Sequence, residues 1–500
     1  MTVAAQRTAS DRQDWSQIAS SPYPLLIDGE LSIPDERATL DVVFPFNNQV
    51  VGQIYVAGPT EVERGIAAAR TAVDGDWGRS TAAERQVPML RLAELIGEHA
   101  DRLAFLETVD GGGVYGSNRY WVIPAVQDYL RYYSGLARTF TGDVVPTSVG
   151  NMLAYRVWEP VGVVAEILPW NAPLLMGLLK VAAILAAGNS VVVKPPSDAS
   201  LAFTALGELF IAAGFPRGVV NILCGSGATV GEQLLADPRV DMVSLTGGTA
   251  TGRHVMRQAA GTLKKVSLEL GGKSPNVVFA DADIERALPM AAQAIFMHQG
   301  EICVCGSRLL LQSSIAADFT SRLVELAEQQ VLGDPFDPAT TMGPLISRRH
   351  QLSVLEYIEK GIAEGATLQT GGGAPTDPAL ARGNFVQPTI FGSVANQMCI
   401  AQEEIFGPVL SVLTFDTETE AIGVANEVAY GLASAVWTQS VDRALRMARA
   451  IKAGQVYVNG YYSPSMHETP MAGQKQSGVG EAGLSRYLQS KAVFVSVGSA

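Results

Sequence analysis

Three residues carry side chains suited to acyl chemistry. Cys303 lies in the run Gly300-Glu301-Ile302-Cys303, just after an apolar helical pattern and on a predicted turn. A cysteine in a polar turn can offer its thiolate to a carbonyl carbon. Glu269 precedes Leu270-Gly271-Gly272-Lys273-Ser274-Pro275, at the end of a predicted apolar strand. A carboxylate beside a Gly-Gly turn has room around it, and could take a proton from a water held near that sulfur. Asn171 follows Pro169-Trp170 at the end of the apolar run Val161 to Leu168, where its amide could stabilise an oxyanion. Each residue also has a plainer reading: an inert buried thiol, a helix-cap or surface carboxylate, and the N-cap of the following helix. The other cysteines lack such a setting. Cys224 and Cys399 sit in apolar or loop surroundings, and Cys305 reads as core.

The elements that must position these residues are legible from periodicity. Val161 to Ile167, Ser190 to Lys194, Val219 to Leu223 and Val240 to Leu245 read as short apolar strands. Between and after them, helical patterns cover Leu174 to Ala187 and about Leu201 to Ala213, and begin near Gly227 and Thr249. Strands separated by helices imply βαβ units and a parallel sheet, with ligands at the strand C-terminal ends. The pattern restarts after Gly271-Gly272. Asn276 to Phe279 and Leu309 to Gln312 are predicted strands, Ile284 to Met297 and Ile315 to Val331 predicted helices, and Gly371 to Pro378 a surface loop. The fold class expected is therefore α/β, with a second α/β domain from about residue 271.

Composition narrows the class. Of 500 residues, 47% are hydrophobic and only 17% charged, which demands a large core and excludes a disordered or collagen-like chain. Thirty-six basic residues face 49 acidic ones without a basic stripe, which argues against nucleic acid as a partner. Met1 to Trp15 carries no apolar signal core. The stretch from Leu174 to Ala187 is interrupted by Lys180 and too short to cross a membrane. Four cysteines form no disulfide framework and no zinc-site spacing, so no metal is expected and a cytoplasmic location is.

Six motifs recur in order: Pro169-Trp170-Asn171, Lys194-Pro195, Thr246-Gly247-Gly248-Thr249, Glu269 to Lys273, Gly300-Glu301-Ile302-Cys303, and Glu403-Glu404-Ile405-Phe406-Gly407-Pro408. Together with the 34-residue spacing from Glu269 to Cys303, Gly454 to Asn459, and Lys475 to Gly480, this series resembles the aldehyde dehydrogenase superfamily from about Tyr23 onward. The resemblance implies a Rossmann-like NAD(P)-binding domain at 23–138 and 158–270, a catalytic domain at 271–478, and a small β oligomerisation arm at 139–157 and 485–500. It implies Cys303 as nucleophile, Glu269 as the base that activates water, Asn171 as oxyanion donor and Lys180 in support. Cofactor contacts would come from Leu168, Trp170, Lys194, Ser197, Gly227, Gly231, Gly248, Leu270, Glu404 and Phe406. Trp121, Ala172, Leu175, Met176, Leu179, Ile302, Val304, Tyr462 and Met466 would line the substrate funnel.

Departures from the family pattern refine the expectation. Ser197 stands where a Glu often binds both ribose hydroxyls, so NADP+ is expected to be accepted, with a preference for it one reading, and NAD+ to be usable as well; their ranking by affinity is open. Glu301 replaces the usual glutamine and is expected to point away from Cys303; the role of His298 is open. Without Arg or Lys clusters in the funnel segments, a medium-sized hydrophobic or aromatic aldehyde is the expected substrate. Tyr133 to Leu153 and Val493 to Ala500 resemble arm strands, which implies a homodimer or homotetramer. The alternatives are transfer of the acyl group to CoA, for which Glu269 would be unnecessary, and a non-catalytic descendant of the fold, which would have no need of all three residues.

Overall fold

The computed structural model describes residues 22–462, 467–469, 472–480 and 483–498. Two sheets dominate. The first has eight strands in the order Glu30–Ser32, Leu25–Ile27, Val220–Ile222, Ser190–Lys194, Val163–Ile167, Met242–Thr246, Lys265–Glu269, Gly478–Val479. Its five central strands are mutually parallel, and the outer pairings are antiparallel. Numbered along the chain, the central five run 3-2-1-4-5. Connections therefore leave Val163–Ile167 and Met242–Thr246 toward opposite sides, opening a crevice at their C-terminal ends. These strands read as near-continuous apolar runs because helices cover both faces.

Helix Pro173–Ala186 (PLLMGLLKVAAILA) is buried almost all round. Pro173 suits its first turn, where an N–H would go unused. Gly177 lets it pack tightly, since a Cβ there would come within 2.4 Å of the Phe203 ring. The pattern from Leu201 to Ala213 is not one helix but two short ones, Leu201–Thr204 and Gly207–Ala212.

The second sheet runs Thr367–Thr370, Thr389–Gly392, Val409–Phe415, Arg308–Gln312, Pro275–Val278, Ala433–Trp437, Gln455–Val458. It is parallel except at its first pair. Helices Ile284–Phe296 and Ser313–Glu328 pack on it. A separate three-stranded sheet joins Asp143–Val145, Met152–Pro160 and Leu488–Ser496. Tyr133 is not part of it: this residue is buried within helix Ile123–Leu136, whose apolar stripe packs into the first core. The three-stranded sheet exposes apolar side chains, with Val144 at 74% and Phe494 at 65%. Among the described residues no helix is long and apolar enough to cross a membrane.

Candidate active site

A cleft of about 850 Å³ opens at the C-terminal ends of the parallel strands and runs to the Cys303 turn. One end is formed by Leu168 and Trp170, Lys194, the turn Gly227–Gly231, Thr246 to Gly248 and the start of helix Thr249–Ala259. The other holds Asn171, Ala172, Leu175, Met176, Trp121, Ile302, Cys303, Val304, Tyr457 and Tyr462. Glu404, Phe406 and Leu270 lie along it as well.

The Cys303 turn is shaped by its approach. His298, Gln299 and Gly300 all adopt positive φ (51°, 57° and 73°), so the chain leaves helix Ile284–Phe296 in a tight left-handed turn. Gly300 permits this where it abuts Gly407. Cys303 keeps part of its surface open, while burial, with Glu404 and Glu269 adding to it, pushes its thiol up to about 12. Cys305 is buried in the core as expected.

Asn171 does not cap the helix it precedes. Ala172 occupies the N-cap without a side-chain bond, and the Asn171 amide instead donates to Glu301 O at 2.7 Å. An amide has two N–H groups, and this bond uses one. The Asn171 carbonyl accepts a 2.6 Å bond from His298 Nε2, which assigns the proton to that nitrogen. His298 thus braces the strand end against the Cys303 turn. Burial lowers its pKa, favouring the neutral ring.

Glu301 points away from Cys303, as expected. Its carboxyl accepts the Ile346 N–H at 3.0 Å, and burial raises it well above the ordinary carboxylate range. Glu404 accepts the Gly272 N–H at 2.8 Å, and burial raises it to about 7. Gly271 and Gly272 have a steric reason to be glycine. A Cβ on Gly271 would come within 2.1 Å of Glu404 Oε2, and one on Gly272 within 2.3 Å of the Cys303 carbonyl.

Glu269 is neither a surface carboxylate nor a cap. It is buried and paired with Arg486 Nη2 at 2.6 Å. Its side chain is outside the cleft lining, although Leu270 and Gly271 beside it line the cleft. Lys180 lies deeper still, 3.6 Å from the buried Glu166 and 3.4 Å from Ser244 Oγ. Ser197 is exposed, off the lining, and donates to Gly225 O at 3.4 Å. Leu179 is a correction: it lies on the same helix face as Leu175 and Met176 but one turn further along, packs partly buried against the first core, and is not among the cleft-lining residues. Met466 lies outside the described residues.

Several residues escaped the sequence reading. Glu107 lines the cleft and accepts the Leu174 N–H at 3.4 Å, a helix-start contact made from another helix. Burial raises it to about 8. His350 packs on Trp170 at 5.2 Å and donates to Phe406 O at 2.6 Å. Neither these residues nor Arg486 belongs to a local pattern; only three-dimensional pairing brings them to the site.

The cleft fits a dinucleotide. A Cβ at Gly227, Gly231 or Gly248 would meet nothing within 4 Å, so these backbones face open space. Gly248 N-caps helix Thr249–Ala259, whose exposed N–H groups suit a pyrophosphate. The Thr246 hydroxyl on the cleft wall is buried, with no hydrogen-bond partner among the described residues.

Comparison with known proteins agrees with this geometry. The profile described as "Aldehyde dehydrogenase family" matches residues 33–493. The chain belongs to the aldehyde dehydrogenase family. It is 41% identical to a betaine aldehyde dehydrogenase of Bacillus subtilis, over 94% of this chain and 96% of that protein. It is likewise 41% identical to aldehyde dehydrogenase family 2 member C4 of Arabidopsis thaliana, over 94% of each. A crystal structure of betaine aldehyde dehydrogenase from Staphylococcus aureus in complex with NAD+ superposes with a TM-score of 0.94 at 37% identity, covering 98% of this chain and 97% of that one. This aldehyde dehydrogenase therefore has the family's Rossmann-like nucleotide-binding, catalytic and oligomerisation architecture.

Proposed function

We propose that this aldehyde dehydrogenase oxidises a medium-sized hydrophobic or aromatic aldehyde to the free acid through Cys303. The observation that carries the reading is the bond from Asn171 to Glu301 O, which fixes an amide with a second N–H two residues before the thiol. The Cys303 thiolate attacks the carbonyl carbon, giving a thiohemiacetal. The remaining Asn171 N–H and the Cys303 backbone N–H stabilise the oxyanion. Bound nicotinamide supplies the hydride acceptor. Glu269 then takes a proton from water as its oxygen adds to the thioester carbonyl, and the thiolate departs as the acid forms. For this Glu269 must swing toward the cleft from the position at the strand end where Arg486 holds it.

Lys194, Gly227, Gly231 and Gly248 would hold the adenosine and pyrophosphate, with Leu168, Trp170 and Leu270 along the cleft wall. Glu404 and Phe406 would bound the nicotinamide end. Ser197 carries no negative charge, so both NAD+ and NADP+ are accepted in this reading. The substrate preference is supported by an apolar, aromatic funnel of Trp121, Met176, Ile302, Tyr457 and Tyr462. Glu107 borders it, but with its pKa near 8 it is mainly uncharged at neutral pH and makes a weak seat for a cation.

We place the domain limits at 23–138 with 158–270, at 271–478, and at 139–157 with 485–500. The exposed apolar residues of the arm support assembly as a homodimer or tetramer. A cytoplasmic location is part of the same reading.

The deciding experiment follows reduced-cofactor absorbance across aliphatic, aromatic and betaine aldehydes, with each cofactor, beside Cys303→Ser. Turnover of apolar aldehydes that is lost in the variant supports the reading. Preference for betaine aldehyde would overturn the substrate class, and a strict CoA requirement would overturn release of free acid.

A further inference from the structure

Among the described residues, four charged side chains with almost no contact with water lie beneath the cleft. Glu166 and Lys180 are 3.6 Å apart with exposures of 0% and 4%; Glu269 and Arg486 are 2.6 Å apart at 8% and 7%. The pairs are coupled. Burial lowers the pKa of Lys180, Glu166 and Glu269 act to raise it, and Arg486 acts to lower it. Among the described residues, these two acids and two cations balance in charge, as a buried cluster of this kind favours.

Arg486 is well placed to be the fixed member. It belongs to the single turn Leu484–Tyr487, which leads directly into the arm strand Leu488–Ser496. Its neighbour Tyr487 is pinned at three points: its carbonyl accepts from Val161 N (3.2 Å) and Asn189 Nδ2 (2.9 Å), and its hydroxyl meets Ser244 Oγ at 3.4 Å. Glu269, by contrast, has one oxygen engaged by Arg486, and among the described residues its buried Oε2 has no hydrogen-bond partner.

We propose that Arg486 is a positioning residue for Glu269: it holds the carboxylate at the strand end beside the cleft and leaves Lys180 to Glu166. This rests on the reading of Glu269 as the base. Without the guanidinium, two buried acids share one cation, and Glu269 is drawn inward toward Lys180. It then no longer reaches a water at Cys303. Thioester formation does not use this carboxylate and should continue.

The test is rapid-mixing kinetics of Arg486→Met with an aldehyde that the wild type turns over. The expected result is a stoichiometric burst of reduced cofactor within about twofold of the wild-type rate, followed by a steady state at least ~10-fold slower, a modest share of the ~10²–10⁴ a general base contributes. Intact-mass analysis during turnover should show the acyl adduct accumulating on Cys303. Arg486→Lys, which keeps the charge, should recover most of the hydrolytic rate. A burst slowed in parallel with the steady state would indicate a merely structural role and overturn the proposal, as would an unchanged steady state without adduct. If Arg486→Met yields no folded protein, Arg486→Gln decides by the same criteria. Glu269→Gln tests the base separately: full hydrolysis in that variant removes the base reading itself, whatever the Arg486 variants do.

Discussion

The α-carbon of Gly272 faces the carbonyl oxygen of Cys303 so closely that an added methyl would come within 2.3 Å of it. The segment that follows Glu269 is thus the floor on which the thiol turn rests. Gly272→Ala must displace backbone, because the obstructing atom is main chain. The expected outcome is a loss of roughly 10²-fold or more in kcat, the scale of an ångström-sized misplacement. Cofactor binding measured by fluorescence titration should change far less.

Asn171→Ala removes both the proposed oxyanion donor and the bond to Glu301 O. A fall in kcat of about 10²–10³ is expected, in line with loss of one such donor. Stopped-flow measurement should place the loss in the burst phase, before hydrolysis.

What the sequence made legible was whatever local pattern encodes. The strands Ser190–Lys194 and Arg308–Gln312 and the Cys303 turn follow from apolar runs bounded by glycine and polar residues. Helix Pro173–Ala186 followed likewise, since its length and apolarity overrode the single Lys180. The continuous helix expected to Ala213 failed because apolar periodicity does not register the break between Thr204 and Gly207. Leu179 was misplaced because helical spacing gives the face it shares with Leu175 and Met176, but not how far along that face the cleft extends. The Glu269–Arg486 pair was out of reach altogether, being a contact between segments 217 residues apart.

Cys303 reactivity should climb with pH. With the thiol at about 12 in the cofactor-free protein, the thiolate fraction grows about tenfold per pH unit well beyond neutrality. Iodoacetamide labelling, followed on the Cys303 peptide by mass spectrometry, should rise through pH 7–10 without levelling. A plateau below pH 9 would contradict the burial argument.

Glu301 makes the stability of the fold fall as pH rises. Its folded-state pKa is raised by burial, so the folded chain holds a proton that the unfolded chain releases. Stability from this group is therefore greatest below the ordinary carboxyl pKa and falls as pH rises above it. Glu301→Gln mimics the protonated form. Its Tm should match the wild type near pH 5 and exceed it increasingly toward pH 9, as read by scanning fluorimetry.

Ser197→Glu introduces a carboxylate beside the Gly225 turn, where a 2′-phosphate would be repelled. The ratio of kcat/KM for NADP+ over NAD+ should fall by at least ~10-fold, about 1.4 kcal/mol. An unchanged ratio would show that this position does not read the phosphate.

The strand Gly478–Val479 closes the outer edge of the first sheet by pairing with Leu268 and Glu269. During synthesis on the ribosome, the strand that ends in Glu269 emerges long before its outer partner exists. Through that interval its edge must stay uncovered while the whole second sheet is made. Closure of that edge and docking of the Arg486 turn both wait for residues beyond 477. The proposed base is thus among the last elements of its sheet to be set, and a nascent chain stalled before residue 478 would have Cys303 in place without a seated Glu269.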